Sequence, residues 1–442
     1  MPDQNFFGEV LPGAYYKKLP SPSAVVIPPN AANVLFIGQG NLTLQQTAII
    51  TRSTSGFTDL IPSPDVSSID SIVDFNGVSY FSPQDYTFVS PNLINWNSSG
   101  NVPASGMLYT VTYEIPNPNI GVLQQYFQTN DVVAAYGAIS TSNALSLAAS
   151  LFFQNGGAVL NIIQQASSGY GDFLNALNLS SAYQMDIIVP LANQAMSGYE
   201  TLFGDVRANV YQNSQPLIGN QRIAFLTEPA GTSLLEYVNA AQGLDYRRIS
   251  LFAPGSIDTQ INGVEVTVPM YFGAAAAAGF FANPSNLPST ALTSQVLAGL
   301  IDVEIPYLRQ QQIQLISSGV LVLQNVLGNV ETIRSVTTDT SEIDNFELSV
   351  VRIGDFVGKI LSVILRKQFV GITNIDSSTL ASIRGSITST LNALVTAKVL
   401  VKIGTISVVQ DTTDPTAVDV SLQLAPAFPT NFINIEFSLS LF

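Results

Sequence analysis

The chain has no histidine and no cysteine among its 442 residues. The first absence removes the commonest general base and metal ligand, and the second removes every disulfide and thiol nucleophile. Serine-histidine, cysteine-histidine and zinc chemistries are therefore excluded. Charge is scarce as well: Asp, Glu, Lys and Arg make up 11% of the residues against the ~25% of an ordinary soluble domain, while 46% are hydrophobic. Such a surface cannot be the densely charged coat of a free monomer, and burial in permanent subunit contacts accounts for it. What charge there is sums to −15. That repels phosphate backbones and gives nucleic-acid binding no support outside a local basic patch.

Long apolar runs are missing too. Mean hydropathy is +0.30, yet the longest run, Met270 to Ala282, has 13 residues and contains Gly273 and Gly279. A spanning helix needs ~20. Met1-Pro2-Asp3 carries an acid where a secretory signal needs a basic region, so a soluble, unsecreted chain is expected, with no membrane insertion. Neither a Gly-x-x-x-x-Gly-Lys-Ser/Thr loop nor a Gly-x-Ser-x-Gly elbow occurs, which leaves no nucleotide-hydrolysing loop and no hydrolase nucleophile turn. Any mechanical work must then come from stored folding or packing energy. Gly38-Gln39-Gly40 begins like a dinucleotide fingerprint but lacks the third glycine, and reads as a loop. The acid pairs Asp302/Glu304 and Glu342/Asp344 could serve a carboxylate-based glycosidase, but surface acids near helix starts explain them more simply. No catalytic, cofactor or metal site emerges.

A chain of this length should hold one large core domain with one or two smaller ones. Six prolines fall within the first 29 residues, so residues 1–30 read as an extended arm. A first strand follows at Asn33 to Gly38. Between about 41 and 125 the pattern changes to short alternating runs, with Asn76-Gly77 between two of them as a hairpin signal, and reads as an inserted all-β domain. Beyond Asn130 strands alternate with helices: the helix Ser142 to Phe153, stopped by Asn155-Gly156-Gly157, then strands near Val159, Asp186, Arg222 and Arg248. That alternation means an α/β sheet. Residues 31–40 and 126–300 are expected to form one α/β core subdomain. Residues 301–425 would form a second, with a strand at Val320 to Leu323 and helices near 343–368 and 378–395.

Two features ask for a partner. Arg352, Lys359 and Arg366 are spaced by sevens, with Lys367 beside them, and the spacing predicts a basic stripe on one helical face of an acidic protein. A solvated face with snorkelling side chains is the plain alternative. The closing segment Phe432 to Phe442 alternates strictly, with Ile433, Ile435, Phe437, Leu439 and Leu441 on one side. With one charge and no proline, it is either an inner strand of the chain's own sheet or an arm, residues 426–442, that adds a strand to a neighbour.

Several segments resemble those of contractile-tail sheath proteins of bacteriophages and related injection systems. Pro12-Gly13-Ala14-Tyr15-Tyr16 is similar to the family's opening segment, and Asn33 to Gly38 to its following strand. Phe152-Phe153-Gln154-Asn155-Gly156-Gly157 leading into Ala158 to Ile163 resembles the helix, turn and strand of the sheath core. Ala278-Gly279-Phe280-Phe281-Ala282 and Ser318-Gly319-Val320 to Leu323 are similar to later elements, and their order is kept across nearly the whole chain. Asn283 stands where the family usually shows Asp, and the Gly-x-Arg-Thr segment appears only as Ile333-Arg334-Ser335-Val336-Thr337-Thr338.

The resemblance implies a non-enzymatic virion subunit, assembled in the host cytoplasm, that stacks as hexameric rings around an inner tail tube. Its contraction would need no nucleotide and no cofactor, and would drive the tube through the host envelope for genome ejection. It implies contacts with identical copies, the tube protein, the baseplate and the tail terminator. Tyr15, Tyr16 and the strand Phe432 to Leu441 would form the inter-subunit mesh, and the helix from Arg352 to Lys367 would face an acidic tube. Another virion or surface-layer lattice protein, or a receptor-binding tail module, are the alternatives.

Overall fold

The computed structural model describes residues 32–192, 199–216 and 218–436. The fold is mixed α/β, in two compact units: a larger one from the residues up to Arg352 with the segment from Phe428 on, and a smaller one, Ile353–Ala427.

An eight-stranded sheet organises the larger unit. Its strand order is Asn329–Thr332, Val320–Val326, Ile249–Ala253, Ile223–Thr227, Ile187–Pro190, Val34–Gly38, Leu160–Gln164, Leu123–Tyr126. The inner six are parallel and the two edges antiparallel. Strands covered on both faces are near-continuous apolar runs, and every residue of Val34–Gly38, Leu160–Gln164 and Ile249–Ala253 is buried, the polar Asn161, Gln164 and Ser250 included. Alternation sorts their side chains between two cores: Val34 and Phe36 pack on one face with the helices Ala144–Gln154 and Tyr271–Phe281, while Leu35 and Ile37 pack on the other with Tyr170–Ser180, Tyr199–Asn213 and Leu234–Leu244.

The Asn155-Gly156-Gly157 turn is explained by how closely those first two helices approach. Asn155 donates from Nδ2 to the carbonyls of Leu151 (2.8 Å) and Ala298 (3.0 Å), and its Oδ1 accepts from the Ala298 N–H (2.9 Å). Gly156 has φ of +86°, a left-handed conformation that favours glycine. A Cβ on Gly279 would meet the Phe152 backbone, so the two helices touch main chain to main chain.

Two segments fall elsewhere than the sequence suggests. The strand Val320–Val326 lies beside Ile249–Ala253, with Val320, Leu321 and Val322 opposite Leu251, Phe252 and Ala253. Residues 301–352 therefore complete the large sheet, and the division expected at residue 300 falls at 352/353, within the helix Leu348–Gln368. The strand Leu123–Tyr126, expected in the β insertion, is an edge of the same sheet.

Residues 43–116 form two small sheets of their own. One has the order Thr43–Thr51, Leu108–Pro116, Ser68–Asp74, Ser79–Tyr80, and the other Thr58–Leu60, Leu93–Trp96, Tyr86–Val89. Their shared core gathers Ile50, Ile72, Ile94, Trp96, Tyr109 and Val111, and Asn76-Gly77 makes the tight hairpin turn, Gly77 at φ +82°. The smaller unit packs the helix Ser377–Thr396 and the hairpin Leu400–Gln410/Val418–Pro426 around Ile353, Val357, Ile360, Ile387, Leu391 and Leu394.

Candidate assembly surfaces

The helix Leu348–Gln368 carries the predicted basic stripe. Lys359, Arg366 and Lys367 are exposed, while Val357, Ile360 and Leu361 turn inward. Three basic side chains on one apolar-backed helix can form a salt-sensitive contact with an acidic surface. Arg352 is not part of it. Only 8% exposed, its guanidinium lies 4.2 Å from the centre of the Phe281 ring and donates to the Phe281 carbonyl at 3.0 Å. The first turn of the helix is buried in the larger unit, so the position in register with Lys359 meets the carbonyl end of Tyr271–Phe281 rather than solvent.

The sequence pattern also predicts one helix over 343–368. It is interrupted at Glu347, whose backbone is extended (φ −84°, ψ 109°) and bridges Val336. The Glu347 side chain is buried with Oε2 3.5 Å from Nη2 of Arg334, and accepts from Nδ2 of Asn431 at 2.9 Å. Burial pushes its carboxyl up from the ordinary value, against the opposing pull of Asn431 and Arg334. The Arg334 guanidinium lies 4.8 Å from the ring centre of Phe346 and 5.5 Å from that of Phe432. A buried carboxylate with one cation and one amide, flanked by two rings, thus seats the root of the closing segment.

Past that seat the chain is exposed. Phe432, Ile433 and Ile435 are 71%, 78% and 80% accessible, and residues 432–436 belong to no strand. Over 432–436 the closing strand expected from Phe432 onward does not form, and these residues join none of the sheets among the described residues. Phe437, Leu439, Leu441 and, in the opening arm, Tyr15 and Tyr16 lie outside the described residues.

Beside the seat is a cavity of about 620 Å³ lined by Arg309, Ile313, Ile316, Ile333, Arg334, Ile343, Phe346 and Phe432, among others. Sequence reasoning missed it, although Ile313 in the polar helix Arg309–Ser317 and the variant segment around Arg334 were signals. The acid pairs form no common site: Asp302 is exposed and accepts from Nδ2 of Asn325 (3.0 Å), and of Glu342 and Asp344 only Glu342 lines the cavity. Among the described residues no group of acids could hold a metal ion, and no helix is long and apolar enough to cross a membrane.

No protein-family model matches the chain, and no curated protein does. Solved structures do. The helical sheath of the anti-feeding prophage in its contracted state is 15% identical, with a TM-score of 0.62 over 98% of this chain and 100% of that one. The contracted sheath complex of the extracellular contractile injection system PVC is 13% identical, with a TM-score of 0.59 over 98% of each. A sheath tail protein from Desulfitobacterium hafniense is 11% identical, with a TM-score of 0.53 over 94% of this chain and 97% of that one. Across nearly its whole length the chain has the fold of contractile sheath proteins.

Proposed function

We propose that the chain is a structural subunit of a contractile sheath. It stacks as hexameric rings around an inner tube and contracts, without nucleotide, to drive that tube through an envelope. The observation that carries this reading is the likeness in fold over 98% of the chain to sheaths of contractile systems. The exposed root of the closing segment agrees with it: Ile433 and Ile435 are apolar, exposed and unpaired by any strand of the described chain. In the assembly that segment and the arm around Tyr15 and Tyr16 pair with identical copies. Lys359, Arg366 and Lys367 face an acidic tube protein, while baseplate and terminator proteins meet the two ends of the cylinder.

Small gains per copy suffice for contraction. A further 80 Å² of apolar burial at ~25 cal/mol per Å² gives about 2 kcal/mol per subunit, several hundred across a long cylinder.

Electron microscopy of concentrated purified protein tests the reading: hollow cylinders are expected, and flat lattices or closed shells would reject a sheath. Deleting Ile433 to Phe442 should leave folded protein that forms no cylinders. Cylinders from the truncated chain would remove the arm assignment while leaving the sheath reading in place.

A further inference from the structure

Resting on the sheath reading, we propose that the cavity beside the Arg334–Glu347 seat is a socket for apolar side chains of a second copy of this chain. Six of its lining residues are aliphatic or aromatic, beside polar ones such as Arg309, Thr340 and Glu342, and three of the six stay open to solvent: Ile313 at 56%, Ile343 at 52% and Phe432 at 71%. Exposed apolar side chains grouped in one polar-rimmed hollow mark an interaction site. The variant segment around Arg334, which the sheath resemblance leaves without a role, supplies one wall through Ile333 and the stacked guanidinium.

The occupant follows from the seat. Asn431 and Phe432 are fixed to the core by Glu347 and Arg334, so the residues that leave it start from the cavity rim. Residues 433–441 at full extension span at most about 31 Å. A copy that pairs with Ile433, Ile435 and their successors therefore stands next to this rim, with apolar surface of its own to bury.

The absence of native cysteine gives a direct test. A single Ile313→Cys or Ile343→Cys variant is assembled into cylinders and exposed to a small maleimide, beside the same variant kept disperse by deletion of residues 433–442. Labelling should be at least about tenfold slower in cylinders. Equal rates in the two states overturn the socket, and protection that appears only when the tube protein is added gives the cavity to that partner and overturns it equally. In parallel, the double variant Ile313→Asp, Ile343→Asp should keep the wild-type circular dichroism and melting temperature yet form no cylinders; normal cylinders would reject the proposal. Should a cysteine substitution alone stop assembly of a folded chain, that loss supports the socket in the same way. Wild-type protein that forms no cylinders would instead reject the sheath reading itself.

Discussion

Of the three buried carboxylates in the β insertion, Asp59, Asp74 and Asp85, Asp59 gathers the aromatic core, and removing it should loosen that unit alone. Asp59 is 5% exposed. Its Oδ2 accepts from Nε1 of Trp96 at 2.7 Å and from the Tyr109 hydroxyl at 2.8 Å; its Oδ1 accepts from the Ser53 N–H at 2.7 Å and lies 3.6 Å from Nη1 of Arg52. Burial and the bond to Asp59 hold the Tyr109 hydroxyl far above its ordinary pKa. Asp59→Ala strands two buried donors at ~1–3 kcal/mol each and leaves Arg52 without its counter-charge, a total of about 3–5 kcal/mol. With a urea dependence of ~2 kcal/mol per M, the midpoint should fall by about 2 M. Trp96 is the only tryptophan in the chain, so its emission follows the insertion, while far-ultraviolet dichroism follows helices that all lie outside residues 43–116. The emission transition should move and the helical one should not. Tyr109→Phe, which removes a donor together with its need for an acceptor, should cost only about 1 kcal/mol. An unmoved emission midpoint in Asp59→Ala would refute the organising role of the carboxylate, and a helical transition falling in step would refute the independence of the insertion.

Glu228, just past the strand Ile223–Thr227, is pushed up to about 7 by burial and then by the nearby charge of Glu236. A carboxyl that holds its proton more tightly when folded stabilises fully below its unfolded pKa near 4.5, and that stability is lost as pH rises through 7. Glu228→Gln should therefore melt higher than wild type at pH 8, by about 1–2 kcal/mol since the group keeps part of its solvent, and equally at pH 4; a pH-independent difference would contradict this. Arg352→Met should lower stability by about 2 kcal/mol through the loss of its bond to the Phe281 carbonyl. If instead it melts normally, the buried role of Arg352 is wrong.

Much of the fold was legible because it rests on local periodicity. Continuous apolar runs marked the buried parallel strands, alternation with Asn76-Gly77 marked the insertion, and the Asn-Gly-Gly stop marked the end of the helix Ala144–Gln154. What escaped is set by packing between distant elements. Nothing local to Val320–Val326 says that it pairs with Ile249–Ala253, and the strand Leu123–Tyr126 carries the same alternating signature whether it belongs to the insertion or to the large sheet. The break at Glu347 was invisible for a related reason. Its residue type is a good helix former, and only Arg334 and Asn431, 13 and 84 positions away, give its extended conformation a purpose.

The basic residues show the same division between periodicity and packing. Of the four residues that helical spacing groups together, Lys359, Arg366 and Lys367 are exposed and Arg352 is buried. None of the helices Tyr170–Ser180, Leu234–Leu244 and Tyr271–Phe281 has a basic residue in its last turn, yet a helix leaves carbonyls and a partial negative charge at that end. Arginines from elsewhere supply the donors: Arg222 reaches the Ser180 and Tyr183 carbonyls at 3.4 and 3.0 Å, Arg207 the Leu244 carbonyl at 2.7 Å, and Arg352 the Phe281 carbonyl at 3.0 Å. Desolvation pulls Arg222 down to about 10, still far above neutrality, so it remains a cation in its buried place. A guanidinium suits this work, since its planar donors reach several carbonyls at once, where a lysine offers one compact charge. Between residues 29 and 352 the basic side chains are all arginines, whereas the lysines beyond Arg352 fall at 359, 367, 398 and 402. Arg222 and Arg352 therefore tie the larger unit together from within, while beyond Arg352 the side chains of Lys359, Arg366 and Lys367 stand on the surface.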